Sequence, residues 1–92
     1  MKDKIFVVAR NQAEFRIFRK DLTACMSAEG IPFNSIDIVY VTSVDQLRGY
    51  SSPWGYLIGN WRLCKASGDI EQLLLTYQAY ENFIELDGIK LL

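Results

Sequence analysis

The first readable pattern is an unbroken apolar run at residues 5–9, Ile-Phe-Val-Val-Ala. It is rich in β-branched and aromatic side chains and shows no polar alternation. Such a run suits a strand buried on both faces of a helix-covered sheet. The period then changes. Phe15, Phe18, Leu22, Cys25 and Met26 recur at spacings of three and four, which places them on one side of a helix. Asn11 in front of that pattern, with Glu14 three residues on, reads as a capping box. Gly30 is a natural left-handed stop, and Pro32 bars continuation.

Residues 36–41 predict a second strand. Ser43 caps a short helical turn, with Gln46 in the third position and Gly49 closing it. Residues 54–58 predict a third strand, ending at Gly59-Asn60-Trp61. Asp69 then caps a further helix, whose apolar positions are Ile70, Leu73, Leu74, Tyr77 and Tyr80. Residues 84–91 alternate around Asp87-Gly88, a pair that tolerates the positive φ angles of a tight hairpin turn. The order predicts an α/β fold: a small, mainly parallel three-stranded sheet flanked by helices, with a C-terminal β-hairpin. One domain is expected to take up residues 1–92.

Composition narrows the chemistry. Half of the 92 residues are apolar, the formal charge is −1 and there is no histidine. Nucleophilic schemes that use a histidine base are therefore excluded within this chain. Cys25 and Cys64 are the only cysteines and form no CxxC pair, so no metal site is indicated. No phosphate-loop or dinucleotide motif follows the first strand, and no cofactor is implied. The expectation is that the protein is not an enzyme. The opening residues read as no secretory leader, and no apolar run is long enough for a membrane span. Reduced cysteines and a cytoplasmic location follow. Residues 1–65 hold nine Lys/Arg against six Asp/Glu, whereas residues 66–92 hold one against five. That acidic last third could complement a basic partner. The overall balance disfavours direct nucleic-acid binding.

Two constellations remain. In an open parallel sheet, ligands sit beyond the carboxyl ends of the strands. There the pattern places Arg10, Asn11, Ser43 and Asn60, a set suited to a nucleotide or another phosphate-bearing ligand. The second constellation is Arg48, Tyr50, Trp54 and Trp61, residue types enriched at protein–protein contacts. A sheet with an open edge also makes a second copy of the chain a candidate partner.

The segments Val7-Val-Ala-Arg-Asn11, Tyr40-Val-Thr-Ser43, Leu47-Arg-Gly49 and Ile58-Gly-Asn-Trp61 occur in that order. In this the chain resembles small bacteriophage-encoded α/β proteins of unassigned function. The resemblance implies a phage origin, with the host cytoplasm as the site of action. It also suggests non-enzymatic binding to a host protein, as an inhibitor of host defence or transcription. The alternative reading is a small-ligand domain that uses the strand ends.

Overall fold

The computed structural model describes residues 3–32, 36–50 and 53–88. Four strands form one sheet: β1 (Asp3–Val8), β2 (Ile36–Tyr40), β3 (Gly55–Ile58) and β4 (Phe83–Leu86). Their spatial order is β2-β1-β3-β4, and every neighbouring pair is parallel. Three helices connect them: α1 (Gln12–Ala28), α2 (Asp45–Arg48) and α3 (Ser67–Thr76).

The apolar run places β1 at the centre. Its side chains at positions 5, 7 and 9 pack with Phe15, Phe18, Leu22 and Met26 of α1. Phe6 and Val8 point the other way and join Leu47 of α2 with Ile70 and Leu74 of α3. The chain steps from β1 to β2 in one direction and from β2 past β1 to β3 in the other. With crossovers of one hand, that reversal puts α1 on one face and α2 and α3 on the opposite face. The two core clusters follow this division.

Local chemistry sets the helix ends. The Asn11 side-chain oxygen accepts from the Glu14 N–H at 2.9 Å, as the capping pattern predicts. At the other end, Gly30 has φ 75°, its N–H bonds the Ser27 carbonyl, and the Ile31 N–H bonds the Met26 carbonyl. Those two bonds make a Schellman stop. The Gln46 side-chain oxygen accepts from the N–H groups of Thr42 and Ser43, and its amide donates to the Tyr40 carbonyl. This one side chain ties the end of β2 to α2.

Three expectations need correction. The sheet has four strands, not three, because Phe83–Leu86 lies parallel to β3 and is reached through α3. The proposed second arm of the hairpin, residues 89–91, lies outside the described residues. The third helix begins at Ser67, so Asp69 sits inside its first turn and is not its cap. It also stops at Thr76, before Tyr77 and Tyr80. Gln78 takes φ 55°, and the bonds from Gln78 to Leu75 and from Ala79 to Leu74 repeat the Schellman pattern. Tyr77 is thereby released from the core side of the helix.

Candidate functional site

At the carboxyl end of the sheet, Arg10, Asn11, Gln12, Thr42, Cys64, Lys65 and Ala66 are among the residues that line a crevice of about 290 Å³. Arg10 and Asn11 do meet Thr42 there, but Ser43 and Asn60 do not line it. The Ser43 hydroxyl accepts from the Asp45 N–H at 3.2 Å, a local structural role. The Arg10 Nε donates to Glu14 at 3.1 Å, and the Asn11 side chain is committed to its cap. Burial pushes the Cys64 thiol up, although backbone N–H groups of Ala66 and Ser67 pull the other way. Burial likewise raises Tyr40. Among the described residues, no three His, Cys, Asp or Glu side chains gather to hold a metal ion.

Asn60 lies apart, in a depression with Gly59, Arg62 and Glu85. A packed cluster fills this region. Trp61 is 1% exposed and joins the core beneath α3, so it offers no surface to a partner. Its indole N–H donates to Glu85 at 3.4 Å, and the Arg62 guanidinium sits 4.6 Å over its ring. Arg62 in turn pairs with Glu71, donates to the Tyr80 hydroxyl at 3.2 Å and lies 3.6 Å from Glu85. The hydrogen bond that Arg62 donates to Glu71 holds the guanidinium above its ordinary range. The cluster joins the turn at Trp61–Leu63 to α3 and β4, and its role is structural.

The open surface is on the face of α2 and α3, toward the opposite end of the sheet. Leu47, Arg48, Tyr50, Pro53, Leu74, Tyr77 and Ala79 enclose a cleft of about 260 Å³. It continues as a shallower trough past Val44, Asp69, Gln72 and Thr76, with Arg48, Leu73 and Tyr77 common to both sections. The floor is core: Leu47 and Leu74 are fully buried. The walls are aromatic and exposed, Tyr50 at 42% and Tyr77 at 66%. Tyr50 is braced edge-on against Phe6, with ring centroids 5.0 Å apart. The Lys4 ammonium lies 5.7 Å from its ring centre. A hydrogen bond to Tyr50, before any effect of Asp37, holds Lys4 above its usual range.

Of the predicted contact set, Arg48 and Tyr50 come together in this groove. Trp54 is exposed at 43% but lies outside it, and Trp61 is buried. Tyr77 and Lys65 were not singled out by sequence reasoning. Tyr77 sits at a core-facing position of the helical period, and no glycine or proline marks the left-handed residue after it. Lys65 follows the third strand, and its approach to Arg10 becomes visible only with the strand order. Comparison with protein families, characterised proteins and solved structures finds no match to this chain.

Proposed function

We propose that the chain is a non-enzymatic protein-binding domain whose contact surface is the groove between α2 and α3. One observation carries this reading: two exposed tyrosines and an arginine wall a cleft with an apolar, buried floor. Soluble domains seldom leave such a combination unused. The resemblance to phage-encoded proteins makes a host protein the proposed partner.

Tyr77→Ala tests the reading cleanly, because so exposed a side chain adds little to the fold. In capture experiments from host lysate, Tyr77→Ala with Arg48→Ala is expected to lose the bound protein. Hot-spot losses of about 2 kcal/mol each, or roughly thirtyfold in affinity, are the scale. Undiminished capture by this double variant, with its fold intact, would count against the groove.

A second reading is favoured by the crevice that brings Arg10 and Lys65 beside the start of α1. Two cations there suit a phosphate or carboxylate group. Under this reading a phosphate-bearing ligand raises the melting temperature, and Arg10→Ala with Lys65→Ala abolishes the rise. A ligand at 100 times its Kd adds about 2.7 kcal/mol. No stabilisation by any anion tried at millimolar concentration removes this reading.

A further inference from the structure

We infer that the groove takes a short linear segment with one large apolar anchor and an acidic side chain close beside it. The inference rests on the groove reading above and adds the chemistry of the occupant. The deep section is lined by Leu47, Pro53, Leu74 and Ala79, and Arg48 is the charged residue at its wall. A cleft of about 260 Å³ takes a leucine or an aromatic side chain and is too small for a folded element. The anchor enters between the rings of Tyr50 and Tyr77, where aromatic faces contribute area at little cost in side-chain entropy.

The charge selects what lies next to the anchor. Arg48 has its guanidinium 3.1 Å from Asp45, with both side chains mostly exposed. An exposed pair of this kind is worth little, so Arg48 can be surrendered to a partner carboxylate that the groove desolvates further. Asp45 lines neither section of the groove and is displaced from Arg48 when a partner carboxylate binds; Asp69 lines the shallower trough and not the deep section that takes the anchor. Lys4, beside Tyr50 and 3.8 Å from Asp37, lies outside the groove lining at the same end. From Tyr77 to Asp69 the trough follows about two turns of α3, roughly 12 Å. That is the reach of about four extended residues. The recognised unit is therefore a linear motif, with its acidic residue beside Arg48 where the two sections meet.

The test is a displayed library of random linear peptides selected on the full chain. Selected sequences are expected to carry Leu, Phe or Trp within two residues of Asp or Glu, several-fold above the unselected library. Arg48→Glu is expected to remove the acidic preference and to enrich Lys or Arg at the same place, while the apolar anchor persists. Selection on Tyr77→Ala is expected to yield no enriched anchor. Anchored peptides without an acidic bias that still require Tyr77 would overturn the inference and leave the groove reading standing. Enriched peptides that bind Tyr77→Ala as well as the unaltered chain, or no enrichment at all, would overturn both.

Discussion

Replacing Gly55 by alanine is expected to remove a large share of the folding stability of this chain. A Cβ at position 55 would fall 1.7 Å from the Phe6 carbonyl oxygen, 2.6 Å from its carbon and 2.8 Å from its nitrogen. All three atoms are backbone of the central strand, so no side-chain rotation relieves the clash. β1 and β3 would have to separate where Phe6 pairs with Gly55 and the Phe6 N–H bonds the Trp54 carbonyl at 3.0 Å. A loss of about 4 kcal/mol or more is expected, a size reserved for a few such mechanisms. A domain of this length has only about 5–14 kcal/mol in total. Urea unfolding followed by tryptophan fluorescence measures it. Gly68→Ala is the control: its Cβ meets nothing within 4 Å, and in α3 it is expected to add about 0.5–1 kcal/mol. Similar stability for the two variants would mean that the strands do not approach as described.

Trp61→Ala is the second large effect. The indole is 1% exposed, packs among Val41, Leu47, Leu57 and Ile70, and satisfies its N–H through Glu85. Its removal leaves a cavity under α3 and takes away the ring that the Arg62 guanidinium covers. Large-to-small core changes of this kind cost about 3–5 kcal/mol. Trp61→Phe should cost far less, since it keeps an aromatic ring and gives up a hydrogen bond worth about 1 kcal/mol. The same urea titration compares them. An alanine variant as stable as the native chain would return Trp61 to the surface.

Trp61 also shows where the sequence stops being informative. Gly59-Asn60-Trp61 follows a strand, and residues in that position commonly face a ligand. Here the chain makes a 3₁₀ turn at Trp61–Leu63 and folds the indole back beneath the next helix. Nothing local distinguishes the two outcomes, because the difference is made by α3 and β4 arriving later in the chain. The fourth strand is a similar case. Alternation over Ile84, Glu85 and Leu86 identifies a strand, but the nearby Asp-Gly pair suggests a local partner. The actual neighbour is β3, in parallel register with Tyr56 against Ile84. Long-range pairing of that kind leaves no local mark.

Where local physics decides, the residues were readable. The unbroken apolar run made β1 central, and Asn11 and Gly30 bounded α1 through bonds that need only neighbouring residues. Gln46 in the third position after Ser43 did close back on that residue's N–H. The site was half readable for the same reason. Arg48 and Tyr50 are close in sequence and share the groove, whereas Tyr77 reaches it only because α3 terminates on a left-handed Gln78.

Amide chemical-shift mapping tests the central claim most directly. The ¹⁵N-labelled chain is titrated with the protein it captures. The largest shifts are expected at Leu47, Arg48, Gly49 and Tyr50, and at Leu73, Leu74, Tyr77 and Ala79, the backbone around the groove. Shifts concentrated instead at Arg10, Asn11, Gln12, Thr42 and Lys65 would contradict the account and place the contact at the carboxyl end of the sheet.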